Sequence, residues 1–158
     1  MSKSGLYAHF GSKEELQLAT VETAREIFDV EVIEPTLAIE DPLERLQALC
    51  EGFLSHLERR VFPGGCFFAS AAAELDTHPG PVKDEITAVQ QHWMDQLQQL
   101  IREAQNTGSL NPTEEPAQLA FELEAYLLMG NTAFVLNNDP APLQQARTAI
   151  RDRLARAA

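Results

Sequence analysis

From Asp41 to the carboxyl end, apolar side chains recur every three or four residues, in runs bounded by Pro, Gly, Asn and Asp, and no run alternates apolar with polar. That spacing lays one stripe along a helix and cannot line one face of a strand. The fold class it dictates is all-α.

Each run has its own start and stop. Asp41-Pro42, with Glu44 three residues after the cap, opens a helix whose apolar positions are Leu43, Leu46, Cys50, Phe53, Leu54, Leu57 and Val61, and Pro63-Gly64-Gly65 is expected to end it. A small-residue helix from about Cys66 to Leu75 follows, then the loop Thr77-His78-Pro79-Gly80-Pro81. The next helix keeps Ile86, Val89, Trp93, Leu97, Leu100, Ile101 and Ala104 on one stripe and closes at Gly108. The segment from about Thr113 to Leu136 is apolar nearly all round, with Leu119, Leu123, Leu127 and Phe134 on one side and Phe121, Ala125, Leu128, Thr132 and Leu136 on another. A helix of that kind needs cover twice, and a second subunit can supply the second cover. The last helix, capped by Asp139 before Pro140, carries Leu143, Ala146, Ile150, Leu154 and Ala157.

Composition limits what such a bundle does. A chain of 158 residues supports one sizeable core. The formal charge of −12 argues against a general affinity for nucleic acid, but charge is unevenly placed: before Glu14 the only charged side chains are Lys3 and Lys13, joined by titratable His9. Contact with DNA is therefore expected from that first segment alone. The most apolar run, Ala125 to Leu136, is interrupted by Gly130, Asn131 and Thr132, and Met1-Ser2-Lys3-Ser4 has no apolar core of a signal peptide behind it, so no membrane contact and a cytoplasmic location are expected. Cys50 and Cys66 stand alone, as small buried residues in a reducing compartment. No HExxH, phosphate-cradling Gly loop or nucleophile elbow occurs, and the pairs His56 with Glu58 and His92 with Asp95 are what any helical surface produces. The reading is a non-enzyme without cofactor or metal.

Function enters at the amino end. Ser2 caps a short helix to about Phe10, Gly11 breaks it, and Ser12 with Glu15 forms a capping box for a helix running toward Glu34, where Pro35 stops it. Within this stretch Leu6, Tyr7, His9, Phe10, Lys13, Glu14 and Leu16 follow the pattern Leu-Tyr-x-His-Phe, two residues, Lys-Glu-x-Leu. The segment resembles the recognition helix and following helix of TetR-family transcription regulators. Gly65-Cys66-Phe67-Phe68 and Ala71-Ala72-Ala73-Glu74-Leu75 ahead of a Pro-rich loop are similar to a common pattern in the family's sensor domains.

The resemblance implies a TetR-like helical sensor and dimerisation domain preceded by a partial helix-turn-helix domain. Residues 1–34 would be the remnant of the DNA reader and its connecting helix, and residues 35–158 the effector-binding and dimerisation domain. Ser2, Lys3, Ser4, Gly5, Tyr7, His9 and Lys13 are the implied DNA contacts: the short polar residues reach base edges in the major groove, and Tyr7 and Lys13 donate to phosphates. Leu6 and Phe10 are expected in the core. Family members begin with two further helices absent from this sequence, so weak DNA binding is expected of the chain. The implied activity is repression, relieved when a small molecule releases the regulator from operator DNA. The alternative is a regulator-derived sensor and dimerisation module without DNA binding. A small, largely apolar effector would be held by Phe53, Leu54, Phe67, Phe68, Trp93, Leu97, Tyr126 and Met129. A homodimer would be held by Ala125, Leu128, Thr132 and Leu136 with Leu143, Ile150 and Leu154, Gly130 and Ala133 permitting close approach.

Overall fold

The computed structural model describes residues 11–75 and 79–158. The expected recognition helix, with Leu6 and Phe10, lies outside the described residues, as do Thr77 and His78 of the expected loop. Among the described residues there are helices and turns and no strand, as the periodicity requires.

Helix α1 (Lys13–Phe28) begins as read: Ser12 caps it, its hydroxyl accepting the Glu15 N–H at 3.0 Å. Gly11 before it has a φ of +80°, a left-handed conformation that a side chain would strain, and a Cβ there would run into the Glu15 carboxylate. The helix does not run evenly to Pro35. It widens into a π turn over Asp29–Ile33 and then tightens into a 3₁₀ turn over Glu34–Thr36. Proline has no N–H to give and its ring crowds the carbonyl four residues earlier, and the widened turn relieves that crowding without ending the helical path.

Helix α2 (Pro42–Glu58) starts on Asp41, whose Oδ1 accepts the Glu44 N–H at 2.8 Å. It stops before the expected Pro63-Gly64-Gly65, because Arg60 takes a left-handed φ of 52°. That conformation costs a non-glycine residue about 1 kcal/mol. The guanidinium offsets the cost by lying over the Phe134 ring, 4.8 Å from its centroid, and donating to Asn138 Oδ1. Val61 therefore falls outside the helical stripe.

Helices α3 (Phe67–Leu75) and α4 (Pro81–Asn106) follow, the latter carrying its apolar stripe against α1, α2 and α3. Helix α5 (Pro116–Asn137) opens on Glu115, which accepts the Gln118 N–H, and helix α6 (Ala141–Ala157) on Pro140, with Asp139 before it accepting the Ala141 N–H, each bond at 2.9 Å. The core runs through the middle of α2, α4, α5 and α6, where Leu46, Leu57, Leu97, Ile101, Leu123, Leu127 and Leu154 are all closed to solvent. Helices α5 and α6 cross closely at Gly130, where a Cβ would stand 3.0 Å from that of Ala146. Ion pairs bind α6 to its neighbours from outside: Arg147 to Glu51 and Glu58 at 2.9 and 2.8 Å, and Arg153 to Glu114 at 2.6 Å and to Glu122.

By length and composition alone α5 could cross a membrane, which the run of residues read from the sequence did not suggest. Its contacts describe a core helix instead: Leu119, Leu123, Leu127 and Phe134 are buried against the bundle, and Glu124 hydrogen-bonds to Trp93.

Candidate effector cavity and dimer face

Phe28, the last residue of α1, sits at the centre of an aromatic cluster. Its ring meets Phe53, Phe68 and Trp93 nearly edge-on, at centroid distances of 6.2, 6.1 and 5.5 Å. Edge-to-face contact suits the ring quadrupoles, but discs meeting at right angles do not fill space completely. The remainder is a cavity of about 30 Å³, floored by Cys66 and bordered by Val89, Gln90, Leu128 and the Glu124 carboxylate.

Glu124 is the polar fixture of this cavity. Its Oε2 accepts the Trp93 indole N–H at 2.8 Å. Burial pushes its carboxyl group above the usual range, against the Trp93 hydrogen bond, which pulls it down. Burial likewise raises the Cys66 thiol, and pushes the Cys50 thiol up to about 12, so neither is primed as a nucleophile. On the far side of Phe28 lies His56, 1% exposed, edge-on to Phe28 and Phe62 at 5.8 and 5.3 Å. Neither of its ring nitrogens has a hydrogen-bond partner among the described residues. Burial first, and the nearby Arg59 charge second, lower its pKa, with Glu31 opposing.

A second space, about 280 Å³, opens between α1 and α4. It shares Phe28, Val89 and Trp93 with the inner cavity, so those side chains form the partition between the two, and it is rimmed by Arg25, Asp29, Glu85 and His92.

Of the residues read from the sequence as effector contacts, the structure brings Phe53, Phe68 and Trp93 together at the cavity. Leu54 and Leu97 are fully packed in the core, and Phe67 faces shallow clefts beside α1. Tyr126 and Met129 lie elsewhere, in a groove of about 170 Å³ between α5 and α6. The sequence reading missed Phe28, assigned to a connecting helix, and Glu124, whose signal was an acid set among apolar neighbours on α5.

The residues read as a dimer interface divide. Ala125, Thr132 and Leu136 are exposed on one stripe of α5, beside half-buried Leu128. Phe121 at 63%, Met129 at 62% and Leu136 at 78% leave that stripe unusually apolar for open surface. Leu143, Ile150 and Leu154 of α6 are instead buried within their own chain, where they pack the bundle. Gly130 also faces inward, to Ala146. Of the residues read as DNA contacts, Lys13 is exposed in the first turn of α1. Ser2, Lys3, Ser4, Gly5, Tyr7 and His9 lie outside the described residues.

Residues 42–150, more than half of the chain, match the family model described as the tetracyclin repressor-like C-terminal domain. The chain belongs to the TetR family of transcriptional regulators. Solved TetR regulators carry the same fold. One from Chloroflexus aurantiacus J-10-FL is 23% identical at a TM-score of 0.87, with 94% of this chain and 75% of that one covered. The regulatory protein TetR from Rhodobacter sphaeroides is 26% identical at 0.71, with 96% and 81% covered. AibR, solved in complex with isovaleryl coenzyme A and operator DNA, is 22% identical at 0.75, with 95% and 78% covered. No curated protein matches by sequence.

Proposed function

We propose that this TetR regulator is a cytoplasmic homodimer that represses transcription and leaves operator DNA when a small effector enters the aromatic cavity. One observation carries the reading: α5 presents Glu124 and Leu128 to the cavity and, on the adjoining face, the open stripe of Phe121, Ala125, Thr132 and Leu136. One rigid helix thus touches both the effector site and the subunit contact, which is what a ligand needs to alter the spacing of two DNA readers. AibR, of the same fold, has been solved with both a ligand and operator DNA, which supports a reading in which both bind. The first segment, with Lys13 at the start of α1, supplies the DNA contacts, and residues 35–158 sense and dimerise. The mostly apolar cavity wall favours a largely apolar effector.

The test is a mobility shift using DNA from the flanks of the protein's own gene, paired with sedimentation to fix the oligomeric state. A dimer that retards the fragment, and releases it on addition of a cavity ligand, is the expected result. A stable monomer at micromolar concentration removes the dimer. A dimer that retards no fragment even at low salt leaves a sensor and dimerisation module in place of a repressor.

A further inference from the structure

Among the described residues, the inner cavity has one carboxylate, several aromatic rings and no basic side chain on its wall. We infer that it takes an organic cation, with a compact positive head between the rings of Phe53, Phe68 and Trp93 and its charge on the Glu124 carboxylate. This rests on the effector role proposed for the cavity and names the class of ligand.

Three features point the same way. Aromatic faces carry negative potential and attract cations most strongly where water is excluded. Phe53 and Trp93, packed on each other 6.0 Å apart at 31°, both line the cavity. The Glu124 carboxylate, held by Trp93 through Oε2, has lone pairs on its other oxygen, and a buried carboxylate is relieved most by a positive partner. An anionic ligand would bring a second negative charge to the same site with no base to meet it.

Two acids also border the approach. Asp29 and Glu85 rim the outer cleft with His92, and the one guanidinium there, Arg25, is already engaged by Glu22 at 2.5 Å and by Asp29 at 4.0 Å. A chain of net charge −12 steers cations toward such a mouth. The inner cavity, at about 30 Å³, holds little more than one water, so the head enters only as the Phe28 and Val89 side chains of the partition turn aside. The outer cleft of about 280 Å³ then houses the ligand's apolar body.

Trp93 is the chain's single tryptophan and reports on the site directly. Benzyltrimethylammonium, its uncharged carbon isostere neopentylbenzene, and phenylacetate are titrated against the intact protein while Trp93 emission is followed. The expected result is a saturable change with the cation at a Kd at least tenfold below that of the isostere, no binding of phenylacetate, and loss of the cation's advantage in Glu124→Gln. Equal affinity for cation and isostere overturns the inference, as does a folded Glu124→Gln that retains the preference. Should Glu124→Gln fail to fold, the three-ligand comparison on the unaltered protein decides alone. Binding of the isostere or phenylacetate in place of the cation removes the cation and keeps an effector cavity, whereas no saturable change with any of the three removes both.

Discussion

His56 places a titratable ring where burial opposes a proton more than the Glu31 carboxylate favours it. Its pKa is lowered on folding by burial and by Arg59, from an ordinary value of 6.5. The unfolded chain therefore takes up the proton first as pH falls, and stability contributed by the neutral ring is lost below about 6.5. Urea unfolding at pH 7.5 and 5.5 should show a drop in the midpoint that His56→Leu largely removes. Glu124 titrates in the opposite sense: burial raises its pKa on folding, so the stability it contributes is full below 4.5 and is lost as pH rises through the folded value, and the same two measurements on Glu124→Gln separate its part from that of His56. At this scale the sequence was least legible. Phe53, Phe68 and Trp93 could be assigned to a cavity because large aromatic residues stood on the right helices. Leu54 and Leu97 stood on the same helices, and only three-dimensional packing separates a wall residue from the one behind it. Phe28 was hidden by its place on a helix read as a connector.

At the scale of elements, caps and periods were legible. Ser12 and Asp41 cap the helices they were read to cap, because each is a local contact between a side chain and the N–H three residues on, whereas the last helix starts one residue later than read, with Pro140 at its cap and Asp139 bonding the Ala141 N–H from one position before it. Helix ends set by distant partners were not, as Arg60 with Phe134 and Asn138 demonstrates. The two-sided apolar pattern of α5 was also legible and separates cleanly into a buried side and an open one. On α6, by contrast, a single stripe had been asked to serve both core and partner, and the core took it. The mutations follow suit. Leu136→Arg should weaken the dimer by at least about tenfold in sedimentation while circular dichroism stays native, since a charge is stranded only when the subunits meet. Ile150→Arg should lower the unfolding free energy itself, by about 3–5 kcal/mol. At the α5–α6 crossing, Gly130→Val has no room beside Ala146 and should cost about 1–3 kcal/mol in a denaturant titration.

For the whole molecule, charge and apolar surface oppose each other. Two copies of a chain at −12 repel, while in the proposed dimer the stripe on α5 draws them together. Raising salt from 10 to 150 mM screens the repulsion and should tighten the dimer in sedimentation, whereas affinity for DNA, read by mobility shift, should fall by about 0.9 logarithmic units per phosphate contact for each tenfold rise in salt. The family was legible because the motif from Leu6 to Leu16 is a local string; the proposed effector site was not, because it is assembled from α1, α2, α3, α4 and α5 together.

Leu128 stands with one flank on the cavity and the other beside the open stripe of α5. Where two equilibria are coupled through such a side chain, the factor by which a ligand changes subunit affinity must equal the factor by which assembly changes ligand affinity. If the proposed cavity and the proposed dimer face are coupled through Leu128, the apparent ligand constant varies with how dilute the protein is, and titrations run at nanomolar and at micromolar subunit concentrations should give different constants for the same molecule.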